Sequence, residues 1–500
     1  VISLYNPRSK KRVTHLDEVR EIVLKYRDPK TPVGIVQKAG RPGQHMIISD
    51  LENFTKEEVD MHSILIMRGN KLICEAYYNP FNSNTLHRMF SVTKSVVSMA
   101  IGALAEDGVI DLDASITKYF PEYEPEDGFY PYLIETTIRD MLSMTTPHNG
   151  TTFDKHSKNN WTESYFTKKP THRPGTIFSY DTSASHVMAA LVEKLTGLSL
   201  LDYLRTKGLT KVGFSNESYC ITDGCGVSQG GSGMMAYPKD LLLLAKLAID
   251  YGKIDNIQIL PEKYLREATS YKVANFVKGS FLAEMQGYGY QFWMTKNNGF
   301  MMYGMAGQLA LCFPDKDLIL VTTADTTDRK GGVQQIIDAF FDEVYSYIDE
   351  ENEFDKDSYL KLCEISDNCS LKPLKNNISV ELDKTYEFFD DNSLEISNVR
   401  IITSVSGGKI ILDNTYGSQI IKFGFNSFLD GNFSHYDCPY IASGCWADKN
   451  TLVVKANLIG ECIGKVIMQF SFKKDGAVTI FSRKTEEILF SEYSGFAQSN

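Results

Sequence analysis

The spacing of apolar residues changes along this 500-residue chain, and the change divides it into two kinds of fold. Between residues 91 and 345, apolar side chains recur mainly at helical spacing, with strand-like stretches before and after the helices. Beyond residue 378, short stretches alternate apolar and polar residues at close intervals, which is typical of an all-β domain. An acidic run at 349–357 separates the two patterns. The sequence therefore predicts an α+β domain followed by an all-β domain.

The first pattern predicts an antiparallel sheet flanked by helices. A hairpin is predicted over 60–79, around the turn Arg68-Gly69-Asn70, and a buried helix over Ser91–Glu106 that ends at a glycine. Further helices are predicted at Thr137–Met144, Ser183–Thr196, Tyr237–Tyr251, Pro261–Thr269 and Val333–Tyr347. Three late strands are predicted at Tyr288–Met294, Leu309–Phe313 and Leu318–Thr322. Strands on both sides of a helical middle predict one sheet that joins the two ends of this domain.

Three segments follow from these patterns. Residues 1–350 form the predicted catalytic domain, with a core at about 55–345; residues 351–377 form an acidic and polar linker; residues 378–500 form an accessory domain. The accessory domain contains alternating stretches at 379–389, 399–405, 409–412, 420–425, 451–457, 465–472 and 477–481. These predict a lipocalin-like barrel or sandwich. Its role stays open between capping the cleft, mediating assembly and binding a ligand.

Charge and cysteine usage restrict the partners and the compartment. A net charge of −11 leaves no surplus of lysine and arginine for phosphates, which argues against nucleic acid. No stretch approaches the roughly 20 apolar residues of a membrane helix, so no membrane contact is predicted. The nine cysteines are odd in number and lack C-x-x-C and zinc spacing, which favours reduced thiols, a cytoplasmic location and no metal or cofactor. Export with removal of a leader is the alternative, because the chain begins at Val1.

A serine followed three residues later by lysine occurs five times, at Ser91, Ser115, Ser358, Ser406 and Ser471. Only Ser91 begins a long apolar helix, where Lys94 shares its face and lies within hydrogen-bonding reach. Burial would lower the pKa of Lys94 and favour the neutral amine that accepts the serine proton. The free N–H groups of the helix start would face a developing oxyanion. The pair therefore predicts a serine nucleophile activated by lysine.

A second candidate nucleophile is Ser228, in Gly226-Val227-Ser228-Gln229-Gly230, which fits the G-x-S-x-G pattern. That pattern requires a buried strand before it and a helix directly after it. Here glycine-rich turns stand on both sides. We therefore interpret this segment as a loop that turns the backbone near the site.

Five motifs in one order carry a resemblance to a known family. They are His87–Ser95, Thr137–Met144, Pro174–Thr182, Gly230–Met234 with Pro238–Asp240, and Gly304–Gln308. This series resembles the class C β-lactamase-like, penicillin-recognising serine hydrolases, which include esterases, D-aminopeptidases and 6-aminohexanoate-oligomer hydrolases. It covers about residues 55–345. The resemblance implies a β-lactamase/DD-peptidase-like fold for the first domain.

The resemblance also implies roles for particular residues. Ser91 becomes the nucleophile, Lys94 its partner, and Tyr180 a general base or acid, since a phenol beside an ammonium loses its proton more easily than usual. The backbone N–H groups of Ser91 and Met305 would form the oxyanion hole, with Gln308 as the other candidate for the second amide. Four residues are expected to contact substrate: Thr182, Trp293, Gly304 and Gln308. Trp293 has core packing as its alternative.

Departures from the family pattern narrow the predicted activity. Residues 302–308 carry no cation and no Lys-Thr-Gly occurs, which argues against a true β-lactamase. We expect a metal-independent hydrolase that cleaves an ester or amide bond of a small molecule or short peptide through an acyl-enzyme on Ser91. An acyltransferase with an alcohol or amine acceptor is one alternative, and a catalytically silent binding protein of the same fold is another. Assembly into a homo-oligomer stays open.

Overall fold

The computed structural model describes residues 4–6, 11–13, 59–154, 160–276, 281–349, 355–389 and 391–500. The chain divides into two units, Val1–Val59 and Asp60–Asn500. In the first unit, strands β1 (Leu4–Asn6) and β2 (Lys11–Val13) pair antiparallel. The predicted start of the core at 55 and the start of the linker at 351 lie outside the described residues. The domain boundaries stay predictions.

The second unit begins with a six-stranded antiparallel sheet in the order β10-β11-β12-β13-β3-β4. Its strands and the short strands between them are β3 (Asp60–Arg68), β4 (Lys71–Tyr77), β5 (His87–Arg88), β6 (Tyr219–Cys220), β7 (Met234–Ala236), β8 (Lys253–Ile254), β9 (Ile257–Gln258), β10 (Trp293–Met294), β11 (Phe300–Gly304), β12 (Gln308–Phe313) and β13 (Leu318–Asp325). The pairing of β13 with β3 joins the early hairpin to the late strands, as predicted. Strands β5, β7 and β6 form a separate small sheet.

Helices cover this sheet. They are α1 (Val92–Glu106), α2 (Pro131–Glu135), α3 (Ile138–Leu142), α4 (Trp161–Thr167), α5 (Thr182–Thr196), α6 (Leu200–Lys207), α7 (Pro238–Ile249), α8 (Glu262–Ala268) and α9 (Gly332–Phe340). Short 3₁₀ turns lie at Ile116–Tyr119, Pro121–Tyr123, Leu209–Val212, Leu282–Met285, Met305–Gly307 and Pro314–Lys316, and a π turn at Phe341–Tyr345 follows α9. Helix α1 is buried on all sides from Val92 to Leu104, because small and apolar residues fill every face. It packs against α5, α6 and β11 and thereby fixes the position of Ser91.

One sequence prediction for this part is wrong in detail. The strand predicted over Tyr288–Met294 is limited to Trp293–Met294, because Gln291 adopts a left-handed φ of 63° and turns the chain. The predicted linker contains helix α10 (Lys356–Asp367), which the sequence analysis did not predict. Asp355 caps this helix by accepting from the backbone N–H of Asp357 and Ser358, each at 3.2 Å.

The chain ends in a single curled sheet, which confirms the predicted all-β accessory fold. Its strands are β14 (Leu382–Glu387), β15 (Ile396–Thr403), β16 (Gly407–Asn414), β17 (Gly417–Phe425), β18 (Leu429–Phe433), β19 (Cys438–Asp448), β20 (Thr451–Leu458), β21 (Lys465–Phe472), β22 (Val478–Lys484) and β23 (Gly495–Gln498), with a 3₁₀ turn at Ser491–Tyr493. The sheet curls so far that Phe388, after β14, pairs with Ser499, after β23. The result is a half-barrel with its own apolar core. Strands β18, β19 and β23 were not predicted from the sequence.

The half-barrel rests on the first sheet through a buried ion cluster. Lys465, at the start of β21, is fully buried, and its Nζ lies 2.7 Å from Asp328, 3.1 Å from Asp60 and 3.4 Å from Asp325. Asp60 opens β3 and Asp325 ends β13, so one lysine joins the two central strands to the accessory sheet. Lys455 adds a second contact to Asp60 at 2.9 Å.

Candidate active site

Ser91 lies at the turn between β5 and α1, where the backbone is strained. The preceding residue, Phe90, has a φ of 45°, a left-handed conformation that is uncommon for a bulky side chain. Phe90 is held in place by contacts with Ala306 and Ile463. Strained residues of this kind persist only where packing determines them, and they occur often at functional sites. Ser91 itself is partly exposed at the start of the helix.

Lys94 is directed at the Ser91 hydroxyl. Its side chain is 1% exposed, and its Nζ donates to Ser91 Oγ at 3.0 Å and to the carbonyl of Gly231 at 2.6 Å. The three-residue spacing on α1 brings the two side chains together, as the sequence predicts. The amine is therefore placed to exchange a proton with the serine.

Gly231 is a part of the site that sequence reasoning did not assign. A Cβ at this position would come within 2.2 Å of the Thr182 side chain and 3.5 Å of Lys94 Nζ. A larger residue would therefore displace α5 or the lysine. The run Gly230-Gly231-Ser232-Gly233 is the signal for it, since only glycine permits this close approach.

Tyr180 completes the group around the hydroxyl. Its ring lies 4.9 Å from Lys94 Nζ and 5.2 Å from the Trp293 ring. Burial raises the pKa of the Tyr180 phenol above its ordinary value, and hydrogen bonds with Ser91 and Trp293 only partly oppose this. The direction is opposite to the one expected from the nearby lysine, because burial is the largest effect on this phenol and the charge of Glu284 adds to it. Tyr180 is therefore a protonated phenol at neutral pH.

Asp181, next to Tyr180, fixes the start of α5. It is fully buried and accepts hydrogen bonds from the backbone N–H of Ser183 at 2.9 Å and from Thr146 Oγ1 at 3.0 Å. Burial raises the pKa of this carboxyl to about 6, with the hydrogen bonds acting in the opposite direction. Asp181 thus positions the turn that carries Tyr180 and Thr182.

The remaining predicted site residues differ in their surroundings. Gly304 packs directly against the segment before Ser91, since a Cβ there would lie 2.4 Å from the carbonyl oxygen of Met89. Met305 follows it and packs against the Phe90 cluster, while Thr182 is the first residue of α5. Gln308 differs from expectation: its side chain is fully buried and donates to the Ala324 carbonyl at 2.6 Å. The prediction that the Gln308 side chain contacts substrate is therefore wrong.

A narrow cleft opens beside Phe90, the residue before Ser91, and part of its wall comes from the half-barrel. Its lining combines residues of the first domain (Arg88, Phe90, Phe153, Trp161, Thr182, Gln229, Ser232 and Met305) with Ile463, Glu486, Glu487 and Ile488. Phe153 and Trp161 stack with ring centroids 4.1 Å apart. Sequence reasoning missed Ile463 and the turn at 486–488, because nothing local in the sequence signals a contact between such distant segments.

Arg88 is a further residue that the sequence did not indicate. It lies at the end of β5 and is nearly buried, and it donates to the carbonyls of Ser232 at 3.1 Å and Glu461 at 3.3 Å. It also donates to Gln229 at 3.3 Å. The guanidinium therefore joins three segments at the rim of the cleft.

The described part of the chain contains neither a metal-binding cluster nor a membrane-spanning helix. Among these residues, no group of three or more His, Cys, Asp or Glu side chains could hold a metal ion. No helix within the same ranges is long and apolar enough to cross a membrane.

Comparisons with known proteins identify the family of this chain. A family model described as Beta-lactamase matches residues 55–338, more than half of the chain. A 6-aminohexanoate-dimer hydrolase of Paenarthrobacter ureafaciens is 24% identical over 60% of this chain and 81% of its own length. Esterase EstB of Burkholderia gladioli is 35% identical over 17% of this chain, but that match covers only 21% of the esterase.

Solved structures show the same fold. A putative 6-aminohexanoate-dimer hydrolase from Bacillus anthracis superposes with a TM-score of 0.50 at 18% identity, over 61% of this chain and 83% of that protein. At this identity the likeness shows the fold alone. The family model and the order of the motifs agree with it. The chain belongs to the beta-lactamase family of penicillin-recognising hydrolases and carries a half-barrel after the family's domain.

Proposed function

We propose that this protein is a serine hydrolase that cleaves ester or amide bonds through an acyl-enzyme on Ser91. The observation that carries the proposal is the contact between the buried Lys94 amine and Ser91 Oγ at 3.0 Å, with Tyr180 hydrogen-bonded to the same serine. Relatives named as a 6-aminohexanoate-dimer hydrolase and an esterase support a hydrolytic reaction.

The proposed reaction moves one proton around the site. Ser91 Oγ attacks the carbonyl carbon while its proton passes to a neutral Lys94 amine, and the carbonyl oxygen becomes an oxyanion. The backbone N–H groups of Ser91 and Met305 would stabilise that charge. As the tetrahedral intermediate collapses, the Tyr180 phenol gives its proton to the leaving group and regains one from Lys94. Water then attacks the ester and the same transfers run in reverse.

Cleavage of penicillin is not part of the proposal. The turn 304–308 carries no cation for a penicillin carboxylate, and Met305 and Phe90 give this side of the cleft an apolar surface.

Trp293 contributes by packing on the Tyr180 ring and by its hydrogen bond to that residue. We therefore assign it a positioning role, not a substrate contact.

A fluorophosphonate probe tests the proposed nucleophile. Wild-type protein should become labelled at Ser91, as located by peptide mass spectrometry, and Ser91→Ala should not be labelled. Ser228→Ala is the matched control, because it removes the serine of the G-x-S-x-G sequence and should leave labelling unchanged. Labelling that survives Ser91→Ala, or that is lost in Ser228→Ala, would contradict the assignment.

Lys94→Ala should reduce hydrolysis of a p-nitrophenyl ester by several orders of magnitude, since it removes the proton acceptor.

Product analysis with an added alcohol distinguishes hydrolysis from acyl transfer. A free acid as the main product supports the proposal, whereas an ester of the added alcohol as the main product would favour an acyltransferase.

A further inference from the structure

The half-barrel contributes a wall to the cleft beside Phe90. Ile463, in the turn between β20 and β21, is buried and packs against Phe90, Ala306 and Met305. These contacts place an accessory-sheet side chain against the residue that precedes the proposed nucleophile. The turn at 486–488 extends the same wall.

Several anchors hold this wall in a fixed position. Lys465, two residues after Ile463, is bound to the three carboxylates of the ion cluster. Arg88 donates to the carbonyl of Glu461 at 3.3 Å, and the hydroxyls of Thr485 and Thr327 lie 2.7 Å apart. The wall is therefore part of the folded site and not a loose covering.

The two turns of the half-barrel also touch each other. A Cβ on Gly464 would lie 2.7 Å from the backbone nitrogen of Glu486, and Gly464 has a φ of 143°. Glu486 in turn accepts from the backbone N–H of Ile488 at 2.8 Å. The segments that carry Ile463 and Ile488 thus support one another.

The position of the cleft indicates which part of a substrate it holds. A leaving group must lie beside the acid that protonates it, and in the proposed reaction that acid is Tyr180. Among the described residues, Phe90 and Met305 line this cleft, whereas Ser91, Lys94 and Tyr180 do not. The cleft therefore adjoins the nucleophile through Phe90, the residue before it, and is assigned to the acyl side of the reacting carbonyl.

We infer that Ile463 limits the acyl group to a short, uncharged chain. The cleft is small, with a volume of about 30 Å³, which is room for about two water molecules. Phe90, Met305 and Ile463 form an apolar part of its wall. Arg88 lines the cleft together with Glu486 and Glu487, and this net negative charge disfavours an anionic acyl chain. This inference rests on the proposed function and adds a specificity-determining residue from outside the family domain.

A chain-length series tests the inference. The ratio of kcat/KM for p-nitrophenyl hexanoate to that for p-nitrophenyl acetate should be below one in the wild type. Ile463→Ala should raise this ratio by about tenfold or more, because a methylene in an apolar pocket is worth roughly 10- to 200-fold in discrimination. The p-nitrophenolate leaving group needs no proton, so the series reports on acyl fit.

Ile441→Ala is the matched control. Ile441 is a buried isoleucine of the same sheet that packs against Phe81 and Leu371, at a separate contact with the first domain. This variant should lose stability in urea but leave the hexanoate-to-acetate ratio unchanged. Ile463→Val is a milder second variant, and it should shift the ratio in the same direction as Ile463→Ala by a smaller factor.

The outcomes are distinct. An unchanged ratio in folded Ile463→Ala and Ile463→Val, with an active wild type, would overturn the inference and leave the Ser91 proposal intact. A wild type that prefers hexanoate, or an Ile441→Ala ratio that shifts as far as that of Ile463→Ala, would also overturn it. A wild type that is neither labelled at Ser91 nor active would overturn the proposed function, and the inference with it.

Discussion

Replacement of Lys465 by methionine should destabilise the fold substantially, because it removes the cation from a buried cluster of three carboxylates. Removing one partner of a buried ion pair costs about 3–5 kcal/mol, since the other charge is left without compensation. Asp60 would retain Lys455 at 2.9 Å, and Asp328 is 21% exposed and can be hydrated. Asp325 is 5% exposed and would be left with only its hydrogen bonds to Thr327. We therefore expect a loss at the lower end of the range, about 3 kcal/mol.

The assay is urea unfolding followed by tryptophan fluorescence and far-ultraviolet circular dichroism. Lys455→Met is the matched control: this lysine is 21% exposed and Asp60 keeps Lys465, so the loss should stay below about 1 kcal/mol. Adding Asp325→Asn to Lys465→Met should restore much of the stability, because it removes the stranded charge. Equal midpoints for wild type and Lys465→Met would refute the reasoning.

The stability difference between wild type and Lys465→Met depends on pH through two opposite pKa shifts, those of Lys465 and Asp60. Burial alone would lower the pKa of Lys465, but Asp325, Asp60 and Asp328 raise it above its usual 10.5. The contribution of Lys465 to folding stability is therefore present below about pH 10.5 and is lost as the pH rises further. Burial alone would raise the pKa of Asp60, but Lys465 and Lys455 lower it below its usual 3.8, so its contribution is lost only as the pH falls through that lower value. The difference between wild type and Lys465→Met should therefore stay constant from about pH 5 to pH 9.

Two further changes test the site and its support. Tyr180→Phe should reduce cleavage of alkyl esters and anilides by about 10²- to 10⁴-fold while p-nitrophenyl esters lose much less, because only the poor leaving groups need its proton; equal losses in a steady-state comparison would remove Tyr180 as the acid. Asp181→Asn keeps a good helix cap. Because the folded pKa of Asp181 is raised from 3.8 to about 6, the wild type loses stability as the pH rises through about 6. Urea unfolding at pH 4.5 and pH 7.5 should show the variant gaining on the wild type by about 2 kcal/mol, and parallel curves would contradict the burial argument.

The central pair of the site was predictable because its geometry is local. Ser91 and Lys94 are one helical turn apart, so an apolar helix that begins at the serine suffices to bring them together. The glycine run near Gly231 also carried a local signal, although the carbonyl that holds Lys94 could not be assigned from it. The sheet that joins both ends of the first domain followed from strand patterns on either side of the helices.

The protonation of Tyr180 was not predictable, because it depends on two opposing effects of unequal size. The sequence places a lysine near the phenol, and this charge alone would lower the pKa. Burial by Trp293 and Tyr288 acts the other way and is the larger effect. Only the packed structure shows which effect dominates.

The incorrect strand at 288–294 has a tertiary cause. Its aromatic residues favour a strand, but the Gln291 amide donates to the carbonyls of Met141 and Leu142 at 3.0 and 2.9 Å and accepts from Ser185 at 2.7 Å. These contacts with α3 and α5 hold Gln291 in a left-handed turn. A preference for strand of about 1 kcal/mol is smaller than three buried hydrogen bonds that would otherwise be lost.

Helix α10 was missed for a different reason. Its acidic and lysine-rich composition resembles a linker, and no residue of the helix is buried. The local signal was present, since Asp355 is a helix-capping residue followed by good helix formers. A composition change therefore indicated the domain boundary but obscured the helix within it.

The active site and the stability of the domain contact depend on the same short segment. Ile463 lines the cleft and Lys465 binds the three carboxylates of the ion cluster, and only Gly464 stands between them. A chain that ends at the linker would lose both residues at once: the cleft would open, and Asp325 would lose its cation. Changed activity in such a truncation would therefore combine two effects. Ile463→Ala alters the wall and keeps the cation, whereas Lys465→Met removes the cation and keeps the wall side chain. If substrate preference follows residue 463 and unfolding follows residue 465, the half-barrel serves the reaction directly, and its contribution to specificity is separable from its contribution to stability.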